Sequence, residues 1–552
     1  MTGLNPSKLE VPVFDPRDPA YRGKLWVTLR ASAGLFRHYF WGRIAAVLAV
    51  LAALGWIAIT GGLWANLKLR RGFTEVNYVD LAFPWRWPHY ITAMSDHYVA
   101  MGNDALKHGA ADSAFYFYNA ALALRPHNTE TRRLSTLAQF NLGARPVALS
   151  ALAAGLPEAA AAGNEAYLRQ YFTMAFDLQA DDEAAAAGQA LLPAQPDQQH
   201  LHQFIAFQVA TARFNRNDYV TAEKGLTDWQ LRGAPEGTVL YDQCLWESGR
   251  QDSAVSDLED GLQRFRQRDA IYAALEQIAH TQGMPQPQQD YAVLRQLADA
   301  EHPAPQLDLL YAFHVNGRIG QEHQAVDTYF AKFSADPAAL TAVLQFAVDV
   351  GNPQVAARVR DLVAAHGVPI EGYQLACAEA AAVAHNWTAA SEALAQLAKD
   401  KSATTRTFQA SVSGLEMLMK FGRGDSTANV VFTNFLSNVG SLRTAEVLLY
   451  ARVLKSLAQP DLAHQLLSKA FASYPDFEPL LIEVVRADLA SGDRAQLAEH
   501  LAPLLTKRKV PRSVLEPALP LLDQPADAAL RASVAALLQK TPARYLTTQR
   551  WP

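Results

Sequence analysis

Two cysteines in 552 residues exclude a disulfide-stapled scaffold and a four-cysteine zinc module. Charged residues make up only 19% of the chain and hydrophobic ones 50%, which fits neither a disordered chain nor a many-pass membrane protein. Also missing are a glycine-rich phosphate loop, a nucleophile elbow and a His-Glu-x-x-His pair, so no catalytic residue, cofactor or metal is expected. His200 and His202 stand two apart and point to different sides of a helix, as solvated histidines do. The run Asp181-Asp182-Glu183 falls at a turn, where acidic residues favour the start of the next helix. Cys244 and Cys377 read as separate buried thiols.

Charge is scarce overall and unevenly placed. The net charge is −5, yet residues 1–90 hold eleven Lys/Arg against five Asp/Glu, leaving −11 for residues 91–552. An acidic body repels phosphate backbones, so nucleic acid is not an expected partner. The basic head carries six of the ten tryptophans and suits an anionic membrane surface.

Between Arg43 and Lys68 lie 24 residues without a formal charge. At ~1.5 Å per residue they make a helix of ~36 Å, enough for a ~30 Å hydrocarbon core. A cleaved signal peptide would have a shorter apolar core nearer the start. Residues 44–67 therefore read as one transmembrane helix, with Trp41 and Trp64 near its ends and a basic tail, 1–43, before it. Lys/Arg counts over the twenty residues on either side tie at four. The cost of exporting the basic tail favours a cytoplasmic N-terminus, with the body outside in a bacterial-type inner membrane. Residues 68–94 are aromatic and broken by Pro84 and Pro88. The rings of Phe83, Trp85, Trp87 and Tyr90 fit either the headgroup level or the first helix of the body.

From residue 95 the chain repeats. Residues 95–128 read as two amphipathic helices with a break at 108–110. Tyr98, Met101-Gly102, Ala114, Tyr118, Ala121 and Pro126 follow the pattern of the tetratricopeptide repeat family, which this stretch resembles. That resemblance implies close helix crossing at Gly102 and Ala114, aromatic filling by Tyr98 and Tyr118, and a helix stop at Pro126. The second-helix alanine recurs through Ala148, Ala184, Ala222, Ala254, Ala325, Ala356, Ala390, Ala428 and Ala463, blurs near 289, and gives way to Leu497. Pro196, Pro337 and Pro475 repeat the offset of Pro126, while Tyr329 repeats that of Tyr118. Glycines five residues before the marker, such as Gly109, Gly143, Gly249, Gly320, Gly351 and Gly492, read as helix breaks.

The expected fold is all-α: a right-handed solenoid of about twelve helix hairpins over 95–510, closed by a degenerate capping unit at 511–552. Such an array offers a concave face. Asp96, Asn103, Lys107, Arg318, Arg452 and Lys455 are first-helix residues able to face it. Val99 and Leu134 stand where carboxylate-gripping members of the family place polar residues, so no such clamp is expected. The resulting reading is a membrane-anchored scaffold or assembly factor of the cell envelope, acting in secretion, translocation or surface-polymer export. Its partners are other proteins and the bilayer, with no small-molecule substrate expected. A subunit of a membrane-bound enzyme and a cytoplasm-facing adaptor are the alternatives.

Overall fold

The computed structural model describes residues 43–108, 110–398 and 406–540. The basic tail before Arg43, Trp41, the break residue Gly109 and residues 541–552 lie outside them. Among the described residues all regular structure is helical, as the scarcity of alternating apolar patterns requires. The chain divides into two compact units, Met1–Ala159 and Ala160–Pro552.

The first unit opens with the helix Arg43–Arg70, long and apolar enough to cross a membrane. Its last turn, Asn66–Arg70, widens to π-helix. Beyond it the chain doubles back along the helix. Phe73 N donates to Leu67 O at 3.0 Å, Trp64 Nε1 to Val76 O at 3.0 Å, and Trp56 Nε1 to Ala82 O at 2.6 Å. The Tyr78 hydroxyl sits 3.2 Å from Thr60 Oγ1. Partners thus rise from 73 to 82 as they fall from 67 to 56. The helix Trp87–Lys107 then reverses course, its Trp87 ring 6.5 Å from Trp56 and its His97 ring 4.1 Å from Phe73.

Two hairpins complete this unit, Trp87–Lys107 with Ala111–Leu124 and Thr129–Asn141 with Arg145–Ala153. A side chain at Gly102 would put its Cβ 2.5 Å from the Tyr118 ring, so the close approach that glycine permits is to Tyr118. Tyr118 is fully buried and donates its hydroxyl proton to Asn103 at 2.8 Å. Ala114 is buried beside it. Tyr98 packs edge-on against Phe73, 5.6 Å between ring centres. The second helix ends at Leu124, two residues before Pro126, and Asn128 caps the next by accepting from Thr131 N.

The second unit stacks ten more hairpins, from Glu165–Asp177 with Asp181–Leu191 to Glu478–Ser491 with Arg494–Leu504. The turn inside each carries a residue of positive φ: Gly143 in the first unit, then Gln179, Asn217, Gly249, Gly283, Gly317, Gly351, His385, Gly424, Ala458 and Gly492. From Gly249 to His385 these come every 34 residues. A left-handed turn residue lets the second helix fold straight back on the first, which is why the period shows in the backbone even where side chains diverge. Four of these places hold a residue other than glycine. Ala458, at φ +58 and exposed, pays the left-handed penalty without any packing in return. Ala458→Gly is expected to raise stability by about 0.5–1 kcal/mol, the Cβ relief less the added chain entropy, as read by a higher urea midpoint.

The turns also correct one register. Gly320 lies inside the helix Ile319–Phe333, and the break is at Gly317. The place that Ala254 holds in its hairpin therefore falls on Glu322, buried and 3.1 Å from His314 Nδ1. Ala325 and Tyr329 sit one helical step further along the same buried face. Pro337 opens the helix Pro337–Val350, capped by Asp336, whereas Pro475 lies in the turn before Glu478–Ser491. Ala463 is fully buried in the helix Pro460–Phe471. The blurred unit near 289 is the helix Pro285–Ala298, where Gln288 and Arg295 occupy core positions. Arg295 is held there by Asp269, at 2.6 Å, and by Asp308. At the far end Val510, Val514, Leu515 and Val534 close the core over Leu497 and Leu501.

Candidate partner-binding cavity

First helices of four hairpins in the second unit line a cavity of about 1070 Å³. The helix Pro337–Val350 contributes Leu344, Val348 and Asp349, and Glu371–Val383 contributes Glu379. Thr444–Ser456 and Glu478–Ser491 supply Leu448, Leu449, Arg452, Lys455, Ile482, Glu483 and Arg486. The i, i+4 spacing of Leu344, Val348 and of Leu448, Arg452 sets each helix's apolar and charged residues side by side on one face. Such a wall, part apolar and part ionic, suits a segment of another protein.

Most of the charge is satisfied internally. Lys455 Nζ and Arg486 Nη1 both donate to Glu483, at 2.7 and 2.6 Å. Burial pushes the Glu483 carboxyl up, but these two cations outweigh it and hold it below its ordinary range. Asp349 accepts from the Tyr311 hydroxyl and from Gln345 Nε2, each at 2.8 Å. Burial still raises its pKa, and Arg452 opposes that rise. Glu446 accepts from Ser411 Oγ and from the Arg443 backbone N, both at 2.9 Å, and pairs with the Arg443 guanidinium at 2.6 Å. Among the described residues Glu379 is left with Arg443 at 3.8 Å as its one cationic neighbour. Burial, reinforced by the Glu446 charge, pushes its carboxyl up to about 8.

The segment that follows the last hairpin adds Lys509 and Arg512 to the wall, and it also closes the unit. Arg508 reaches the first hairpin of the unit, donating through Nε and Nη2 to both oxygens of the buried Asp181 at 2.7 Å. It donates as well to Phe176 O, at 2.7 Å. Asn215 Nδ2 donates to Asp181 at 2.9 Å, and Arg216 Nη1 to Thr506 O at 3.3 Å. Lys509 stands 3.7 Å from Glu247 and 4.5 Å from the Phe214 ring, and burial lowers its pKa despite that carboxylate. Residues some 300 apart in sequence are thereby joined, so the array of the second unit meets its own beginning.

Of the residues the sequence put forward for a groove, Arg452 and Lys455 line the cavity. Arg318 is exposed at the turn before Ile319–Phe333 and is absent from the wall. Asp96, Asn103 and Lys107 belong to the first unit, where Asp96 pairs with Arg125 at 3.3 Å and Lys107 is exposed in the last turn of its helix. His200 and His202 engage different carboxylates, Glu165 at 3.3 Å and Asp197 at 2.8 Å. Cys244 and Cys377 are unbridged, with burial pushing their thiols up to about 12 and about 11. Among the described residues no group of three or more His, Cys, Asp or Glu is placed to hold a metal ion. Asp181, read from sequence as an ordinary helix-start charge, is instead the buried anchor of the closure. No local signal links it to Arg508.

No family model matches the chain, and no curated protein matches it. Solved structures do. It is similar to a structure of Naa15/Naa10 bound to HypK-THB, at 14% identity over 88% of this chain and 75% of that one, with a TM-score of 0.27. It is similar also to the APC/C hetero-tetramer Cut9-Hcn1, at 11% identity over 80% and 96%, TM-score 0.24. Yeast Tom70 matches at 12% identity over 88% and 96%, TM-score 0.30.

Proposed function

We propose that this chain is a membrane-anchored scaffold whose second unit grips a segment of a partner protein in the cavity walled by Leu448, Arg452, Ile482 and their neighbours. The carrying observation is that cavity, about 1070 Å³ in volume and mixed in polarity, walled mainly by first helices and completed by the segment that follows the last hairpin. Apolar side chains supply the burial energy, and the ionic ones select the partner. The helix Arg43–Arg70 holds the receptor at a bilayer, raising its effective concentration against membrane-bound partners. In this reading the basic tail lies on the cytoplasmic side and the helix hairpins of both units outside, consistent with an envelope assembly or export role.

A photo-crosslinking residue at Ile482 or Thr341, inside the cavity, is expected to yield a discrete adduct in cells. Val220, 76% exposed on a second helix, is expected to yield none. Arg452→Glu should abolish the Ile482 adduct while leaving expression and helicity intact. Equal crosslinking at all three positions, or an Ile482 adduct indifferent to Arg452, would refute the cavity as the binding site.

A further inference from the structure

We propose that residues 73–94 form a second, re-entrant contact with the bilayer, so that the first hairpin is docked into the membrane and not tethered above it. This rests on the reading of Arg43–Arg70 as the anchor. With Arg43 at one face of the hydrocarbon, a ~30 Å core ends about 20 residues on, near Leu63. Trp56 then lies about 10 Å below the far face. The hydrogen bond from Trp56 to Ala82, and the Trp56–Trp87 ring contact, place the returning segment at that same depth.

The chemistry of the segment fits that depth. Carbonyls left over at a helix end or in a turn need a partner where water is excluded. Three indole N–H groups supply them here: Trp64 to Val76 O, Trp56 to Ala82 O, and Trp87 to Leu81 O at 3.2 Å. Between Leu81 and Ser95 the one formal charge is Arg86, and Asp80 neutralises it at 2.9 Å. On the outward side Phe83, Trp85 and Trp87 are 42%, 74% and 45% exposed, continuous with the exposed Leu54 and Ile57 of the long helix. Aromatic rings in that position partition into lipid, whereas in water they would form an exposed apolar patch. The basic cluster Lys68, Arg70 and Arg71 then falls at the headgroups.

The test uses the full-length protein in phosphatidylcholine nanodiscs containing doxyl-labelled lipid, with the fluorophore NBD on one introduced cysteine at a time. The two native thiols are buried and stay unlabelled. Trp85→Cys reports the re-entrant segment, Leu54→Cys the anchor and Val220→Cys the solvent; Phe83→Cys gives a second reading at the same depth as Trp85. Quenching at 54 and at 85, with none at 220, is the expected result. Quenching at 54 with none at 85 or 83 overturns the re-entrant segment and leaves the anchor standing. No quenching at 54 overturns the anchor itself and this inference with it.

Discussion

Replacing Arg508 by alanine is expected to lower the stability of the protein by about 3 kcal/mol and to open the second unit. Asp181 is fully buried, and Arg508 supplies both oxygens with a charge-assisted hydrogen bond at 2.7 Å. Removing one member of a buried pair costs roughly 3–5 kcal/mol, because a charge is left without its partner in a low dielectric. The lower end applies because Asn215 still donates at 2.9 Å and Arg216 stays 3.5 Å away. Urea denaturation reads the stability, and the radius of gyration in solution reads the opening. Replacing both residues, Asp181→Leu with Arg508→Met, should cost less than Arg508→Ala alone, since no orphaned carboxylate remains. The loss should persist at high salt, which screens exposed pairs such as Arg494–Asp523 but not a buried one. A single substitution that leaves both readouts unchanged would show that the contact is ornamental.

The same pair shows where sequence reasoning reaches its limit. Helix hairpins announce themselves locally: apolar spacing marks each helix, small residues mark the crossing, and a glycine marks the turn, all within one repeat. That is why the all-α array and the long apolar helix were legible. The unit near 289 was blurred because Gln288 and Arg295 sit where alanine or leucine would be read, and the carboxylates of Asp269, Asp308 and Glu276 make such an arginine tolerable. Turns at Gln179, Asn217, His385 and Ala458 were invisible for a similar reason: their φ is set by the return of the second helix onto the first and not by residue type. Nothing in either neighbourhood marks Asp181 and Arg508 as partners across 327 residues, so the closure, and the part of the cavity wall that Lys509 and Arg512 supply with it, had no sequence signature. Arg452 and Lys455 were legible only as charges on first helices, a description that fits Arg318 equally well.

Glu379 offers the second large effect, and its sign follows from its neighbour. Arg443 gives its guanidinium and its backbone N–H to Glu446, so the nearby Glu379 is buried beside a carboxylate whose compensating cation is already engaged. Its carboxyl is pushed up to about 8 in the folded protein, against an ordinary glutamate value near 4.5 once unfolded. Below the unfolded value both states bind the proton and Glu379 costs nothing. As pH rises from about 4.5 to 8 the unfolded chain releases its proton while the folded one keeps it, so stability falls by about 1.4 kcal/mol per unit and then levels off. Glu379→Gln keeps the shape and removes the titration. It should match the parent near pH 4 and exceed its stability by about 4 kcal/mol at pH 9, as read from urea midpoints at the two pH values. Glu446→Gln should act in the opposite direction at pH 7, because it strips Arg443 of its partner, while at the same time bringing the Glu379 pKa down. A Glu379→Gln advantage that is the same at both pH values would mean that packing, and not the missing countercharge, sets the energy of this wall.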